Sequence, residues 1–96
     1  MNLGHNFEQI ISDAQVLVDF YADWCGPCRT MAPTLAAFDA EQDAVSVVKV
    51  NVDEHPGLAA QYGVRSIPTL VAFRDGEEIN RAIGIRQKQE LERLFQ

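Results

Sequence analysis

The sequence predicts an α/β fold in which a mixed β-sheet lies between helices, and three observations support it. Residues 16–21 form a near-continuous apolar run with β-branched and aromatic side chains, which suits a strand covered on both faces. A helical segment and a second apolar run over 45–52 follow, which gives the order strand, helix, strand. Further along, Asp75 and Gly76 lie between strand-like runs at 69–73 and 77–82, a strong hairpin signal.

Four helical segments complete the predicted element order. Apolar residues spaced by three and four positions predict a short first helix over 6–13. The longest helix should cover 26–40 with Pro33 inside it, where a proline removes one backbone hydrogen bond. Shorter helices are expected over 58–62 and 87–95. The predicted inward faces of the longest and last helices consist of Met31, Leu35, Phe38, Leu91, Leu94 and Phe95.

Length, composition and charge limit the function classes. A chain of 96 residues predicts one domain, 1–96, and 47% hydrophobic with 23% charged residues is ordinary globular usage. The net charge of −6 argues against nucleic acid as a partner. Residues 1–6 have neither the basic start nor the apolar run of a signal peptide. The near-apolar stretch 45–50 is too short to cross a bilayer. We therefore expect a cytoplasmic protein without a membrane partner.

The two cysteines, Cys25 and Cys28, are poor candidates for a structural cross-link. The cytoplasm keeps thiols reduced, and closing so short a loop stabilises a fold by only about 2 kcal/mol. At positions i and i+3 of a first helical turn, the two side chains lie on one face, close to disulfide distance. Gly26 is expected to relieve crowding between them, and Pro27 suits a helix start. A redox switch is the better interpretation.

The position of the pair assigns a role to each cysteine. Cys25 should lie at the positive end of the helix dipole, near free backbone N–H groups, and both stabilise a thiolate. Cys28 should be more shielded, so Cys25 attacks and Cys28 resolves the mixed disulfide. The alternatives are two inert core cysteines or half of a zinc site, for which only His5 and His55 could supply further ligands.

These residues resemble the thioredoxin family, and the resemblance covers about residues 7–95 in family order. The matching segments are 18–22, Trp24-Cys25-Gly26-Pro27-Cys28, 31–33, 49–53, 62–64, 67–69, 73–76 and Gly84. The resemblance implies a thioredoxin fold and the reduction of protein disulfides. It also implies electrons from NADPH through a flavin-containing thioredoxin reductase, with no bound cofactor or metal.

The resemblance also implies where substrate proteins bind. A cis bond at Ile67-Pro68 should place that loop beside the cysteines, in contact with substrate backbone. Trp24 should shape substrate approach, with a plain core tryptophan as the alternative. Ile85 should help form an apolar groove, with simple packing as the alternative. The implied substrate-binding residues are Trp24, Gly26, Pro27, Ile67, Pro68, Gly84 and Ile85.

Asp19 lies in an apolar strand, where desolvation should raise the pKa of its carboxyl. A carboxyl poised near neutrality could accept the Cys28 proton, directly or through water. The family likeness gives Asp19 that role and places Lys49 near it on the neighbouring strand. The alternatives are a partly solvated Asp19 with a local hydrogen bond, and a Lys49 that extends its ammonium into water.

The chain departs from the family pattern in two places. Family members usually carry an additional N-terminal strand, whereas here barely six residues precede the first predicted helix. We therefore expect four good strands, with the first edge strand short or absent. Residues 85–87 also lack the Ser or Thr expected to cap the last helix, which should weaken that region.

The favoured interpretation is a monomeric protein-disulfide reductase that acts on disulfide-containing proteins and is itself reduced by thioredoxin reductase. Two alternatives remain at this point. One is an oxidant or isomerase of the same fold in an oxidising compartment. The other is a non-catalytic binding module that presents a surface to a partner protein.

Overall fold

A computed structural model describes the backbone of residues 3–96 and the side chains of residues 6–96. The prediction that residues 1–6 do not form a signal peptide falls partly on Met1 and Asn2, and the zinc alternative includes the His5 side chain; both lie outside these described parts. The elements in chain order are α1 (Leu3–Ile11), β1 (Gln15–Tyr21), α2 (Gly26–Glu41), β2 (Ser46–Asn51), α3 (Pro56–Gln61), β3 (Thr69–Arg74), β4 (Glu77–Ile83) and α4 (Lys88–Arg93).

The four strands form one mixed sheet in the order β2-β1-β3-β4. Strands β1 and β2 run parallel and are joined through α2, whereas β3 is antiparallel to both β1 and β4. The predicted mixed sheet of four strands is therefore confirmed for residues 3–96. Strand β1 has a neighbour on each side, so Asp19 lies opposite Lys49 on β2 and Leu70 on β3.

Alternate side chains of β1 enter two separate apolar layers, because successive residues of a strand point to opposite faces. Val16, Val18 and Phe20 pack with α1 and α3 on one face. Leu17 packs with the inward faces of α2 and α4 on the other. Asp19 shares the face of Leu17, so its carboxyl points towards α2, the helix that begins at the cysteines.

The predicted burial of the second strand and the predicted limits of the first helix were both wrong, for physical reasons. The run 45–52 was predicted to be a second buried strand, but β2 lies at an edge of the sheet and only its Val50 and Asn51 are buried. The first helix begins at Leu3, earlier than its apolar spacing indicated, and ends at Ile11. In both cases neighbouring elements, which a local pattern does not contain, decide how far an element extends and how much of it is covered.

The start of α4 is capped without Ser or Thr. The Gln87 N–H donates to Oε1 of Glu90 at 3.1 Å, so a glutamate side chain satisfies a free amide at this helix end. This bond corrects the prediction that residues 85–87 leave the start of the last helix without a cap. Among residues 3–96, no helix combines the length and the apolar character needed to span a membrane.

The β3–β4 hairpin turns through Asp75 and Gly76, whose φ angles are 53° and 85°. Positive φ at both positions fits the predicted two-residue turn. We expect Gly76→Ala to lower the free energy of unfolding by about 1 kcal/mol, since a Cβ strains this backbone conformation. Steric contact is not the cause, because the nearest atom to an added Cβ would be the Ser12 Cα at 4.0 Å.

Chemical denaturation of the oxidised protein checks this prediction, with Gly57→Ala in α3 as the matched control. An added Cβ at Gly57 meets nothing within 4 Å, so that variant should be neutral or slightly stabilised. Equal effects at the two glycines would contradict the explanation from positive φ.

Candidate redox site

Cys25 is the N-cap residue of the long helix α2. Strand β1 ends at Tyr21, a tight turn follows in which the Cys25 N–H donates to the Ala22 carbonyl at 3.2 Å, and α2 begins at Gly26. Cys25 itself has extended backbone angles, and its Sγ accepts the backbone N–H of Cys28 at 3.1 Å. A cysteine sulfur therefore fills the capping position that a Ser or Asp oxygen usually occupies.

The two sulfurs are joined as a disulfide, with Cα atoms 5.2 Å apart. The prediction that the helical turn brings the cysteines to disulfide distance is confirmed. Pro27 lies in the first turn of α2, as expected. Gly26 does not relieve crowding within the chain, because an added Cβ would meet only the Arg29 guanidinium, at 4.0 Å.

The expectation that Cys28 is the more shielded cysteine was wrong. Cys25 is 3% exposed and Cys28 is 8% exposed, so both are buried in the oxidised protein. The reason is a cavity of about 180 Å³ behind the disulfide, whose walls include Cys28, Asp19 and Lys49. Cys25 faces away from this cavity and packs near Ile67.

Asp19 is 3% exposed, and its Oδ1 has no hydrogen-bond partner among residues 6–96. Burial raises the pKa of this carboxyl from 3.8 to about 6, and the positive charge of Lys49 opposes part of that rise. The alternative of a solvated, locally bonded Asp19 is wrong. At neutral pH the site holds a carboxylate that binds a proton more readily than a surface aspartate.

Lys49 is exposed, and its ammonium lies 4.7 Å from the centre of the Tyr21 ring. It also lines the cavity that contains Asp19. The Lys49 side chain therefore combines the two alternatives considered for it. It reaches solvent, and its positive charge acts on the Asp19 carboxyl.

The bond between Ile67 and Pro68 is cis, as expected. The Ile67 carbonyl oxygen lies 3.8 Å from Cys25 Sγ, and the Pro68 carbonyl accepts the N–H of Gly84 at 2.8 Å. Gly84 has a φ of 90°, which favours glycine. Pro68 is itself buried, whereas Ile67 is half-buried and in part accessible.

Two large apolar side chains near the ends of the redox-site segments are exposed on the surface. Trp24 is 67% exposed and Ile85 is 51% exposed, so the alternatives of a core tryptophan and simple packing are wrong. The Trp24 indole Nε1–H donates to Oδ2 of Asp53 at 2.8 Å, which fixes the ring. Pro27 is exposed beside them.

Three contacts at the site were missed in the sequence. Asp53 orients Trp24, Tyr21 lies against Lys49, and the Met31 Sδ accepts the Arg86 N–H at 3.1 Å behind Gly84. A partial signal existed for all three, since Asp53, Met31, Tyr21 and Lys49 belong to segments that resemble the family. Within the described residues, no group of three or more His, Cys, Asp or Glu side chains is arranged to hold a metal ion.

Comparisons with known proteins agree on one family. A sequence model of the thioredoxin family matches residues 2–96. Thioredoxin from Chlamydia caviae is 49% identical over 92 residues, which cover 96% of this chain and 90% of that protein. A mutant thioredoxin from Halobacterium salinarum superposes with a TM-score of 0.85 at 44% identity, over 94% of this chain and 80% of that one.

A further structural neighbour comes from a study of the thiol-resolving mechanism in yeast mitochondrial 1-Cys peroxiredoxin via glutathione/thioredoxin systems. It matches with a TM-score of 0.87 and 36% identity, over 96% of this chain and 86% of that one. Fold, cysteine geometry and relatives therefore point to the same chemistry.

The burial of Asp19 predicts that its charge destabilises the folded protein. A pKa raised from 3.8 to about 6 corresponds to about 3 kcal/mol of unfolding free energy, present below about pH 4 and lost as pH rises through 6. Asp19→Asn should therefore stabilise the oxidised protein by up to about 3 kcal/mol at about pH 8 and by little at about pH 4.

Denaturation across this pH range measures the effect, with the exposed Asp43→Asn as a control for the loss of one surface charge. A stability gain from Asp19→Asn that is the same at both pH values would refute the assignment of the charge as its cause.

Proposed function

This chain belongs to the thioredoxin family and is a thiol-disulfide oxidoreductase, and we propose that Cys25 is its attacking nucleophile and Cys28 its resolving thiol. The observation that supports these roles most directly is the Cys28 N–H, which points at Cys25 Sγ from 3.1 Å. When the pair is reduced, this donor and the N-terminal end of α2 stabilise negative charge on Cys25.

The proposed reaction has two exchanges. The Cys25 thiolate attacks one sulfur of a substrate disulfide, and the other substrate sulfur leaves as a thiolate that takes a proton from water. Cys28 then loses its proton and attacks Cys25 Sγ, which releases the second substrate sulfur. The substrate gains two electrons, and Cys25 and Cys28 become the disulfide.

Asp19 is proposed to accept the proton of Cys28, directly or through water in the cavity that both residues line. A pKa of about 6 suits this role, because the carboxyl is mostly ionised at neutral pH and still binds a proton readily. Lys49 is proposed to keep that carboxyl ionised in a buried site.

Substrate proteins are proposed to dock on the exposed apolar surface beside the disulfide. Trp24, Pro27, Ile67 and Ile85 would supply apolar contact, and the Ile67 backbone would pair with the substrate chain. Pro68 and Gly84 act indirectly in this proposal, since they hold the Ile67 loop in place. Gly26 leaves room for the incoming disulfide.

We also propose a flavin-containing thioredoxin reductase that draws on NADPH as the source of electrons. Substrates are disulfide-containing proteins, and peroxiredoxins are one candidate class because of the neighbour described above. The cytoplasm suits a dithiol that must be re-reduced after each turnover. A single domain over 1–96 that acts as a monomer is sufficient, because all the proposed site residues lie in one chain.

The roles of the two cysteines predict different fates for single variants. Cys28→Ser cannot complete the second exchange, so it should accumulate mixed disulfides on Cys25 when incubated with disulfide-containing proteins. Cys25→Ser, the matched control, should form at least tenfold less adduct because its helix-end nucleophile is missing. Mass spectrometry of the non-reduced products measures both, and predominant adducts on Cys28 would reverse the assignment.

The proposed electron source predicts turnover in a reconstituted system. With NADPH, a bacterial thioredoxin reductase and insulin, NADPH oxidation should depend on this protein. A Cys25→Ser, Cys28→Ser double variant should give only the background rate. Insulin reduction with dithiothreitol but none with NADPH and several reductases would retain the chemistry and reject this electron source.

A further inference from the structure

The charge that opposes the raised pKa of Asp19 is carried by a flexible side chain. Lys49 is exposed, and a free ammonium on a four-carbon chain spends much of its time in water. Within residues 6–96, Lys49 forms no ion pair; the ion pairs there are Arg81–Glu78, Arg86–Glu90 and Lys88–Glu41. Some other contact must therefore keep the ammonium near the cavity if its effect on Asp19 is to be steady.

The sheet register supplies that contact. Asp19 lies opposite Lys49 in the parallel β1–β2 pair, and Tyr21 is two residues beyond Asp19 on the same face of β1. Lys49 is therefore a direct neighbour of Asp19 and a diagonal neighbour of Tyr21, within reach of a long side chain. The ammonium does lie over the Tyr21 ring, 4.7 Å from its centre, which is the geometry of a cation–π contact.

We propose that Tyr21 is a positioning residue whose ring holds the Lys49 ammonium beside the cavity that Asp19 and Cys28 both line. The Tyr21 side chain is half-buried and packs against the cluster formed by Ala22, Cys25 and Cys28, so it is a fixed platform. This inference rests on the proposed role of Asp19 in deprotonating Cys28, and it adds the residue that keeps the counter-charge in place.

The other charged and titratable groups that line the cavity do not take over the role of Tyr21 in holding the Lys49 ammonium. Besides Lys49 on β2, the cavity is lined by Cys28 and Arg29 from α2 and by Asp23 from the loop before it. The Arg29 guanidinium is bonded to the Asp23 carbonyl at 2.7 Å. On the β3 side Asp19 faces the uncharged Leu70. Lys49 carries the charge that lowers the pKa of the Asp19 carboxyl.

The test is a ¹³C NMR titration of the Asp19 carboxyl in the oxidised protein, in which Cys25 and Cys28 do not titrate. The wild-type midpoint should lie near pH 6. Tyr21→Leu removes the ring, so the ammonium disperses into solvent and the midpoint should rise by about 0.5 pH unit. Tyr21→Phe keeps the ring and should leave the midpoint unchanged. Asp19→Asn identifies the resonance.

A double-mutant cycle separates positioning from a change in burial. Lys49→Met should raise the midpoint, and Tyr21→Leu added to Lys49→Met should raise it no further. The proposal is overturned if Tyr21→Leu and Tyr21→Phe give the same midpoint, or if the effect of Tyr21→Leu persists without Lys49. Tyr21→Met, which also lacks a ring, replaces Tyr21→Leu if that variant does not fold.

The titration decides the positioning role without any catalytic step. The pH profile of insulin reduction by the reduced protein then tests the function of Asp19 separately. If Asp19 accepts the proton, the acidic limb of the profile should move to higher pH in Tyr21→Leu and not in Tyr21→Phe. A shifted titration with an unshifted profile would retain the Tyr21 contact and reject Asp19 as the proton acceptor.

Discussion

The bond from the Cys28 N–H to Cys25 Sγ is the interaction on which the site depends. It exists because a strand with a buried centre ends at Tyr21 and a helix begins five residues later, so the cysteine sulfur occupies the cap of that helix. The apolar layers on both faces of β1 fix the end of the strand, and the inward face of α2 fixes the direction of the helix. Core packing thus determines which sulfur receives the positive end of the helix.

Asp19 shows that the same packing has a cost. The strand that positions the cysteines also buries a carboxyl with an unpaired oxygen, and the raised pKa is the physical consequence. An apolar residue at this position would give a more stable sheet. A destabilising group next to Cys28, in a cavity that reaches the surface at Lys49, is what a proton acceptor for a buried thiol requires.

The sequence was sufficient to predict features with local signals. The apolar run of β1, the Asp75-Gly76 turn and the cysteines at a helix start each have one, and all three are confirmed. The limits of β2 and the relative burial of Cys25 and Cys28 were predicted wrongly, because they depend on which neighbours cover an edge strand and where a cavity lies. The Tyr21–Lys49 contact was missed for the same reason, since it follows from the register between two strands.

The most direct test of this account is the pH dependence of alkylation of each thiol in the reduced protein, followed residue by residue with iodoacetamide and mass spectrometry. We expect the alkylation rate of Cys25 to rise with pH with a midpoint well below the pKa of ~8.5 of a free cysteine. Cys28 should be alkylated more slowly than Cys25 at every pH below ~8.5. Alkylation of both thiols with the midpoint of a free cysteine would show that the helix start does not activate Cys25.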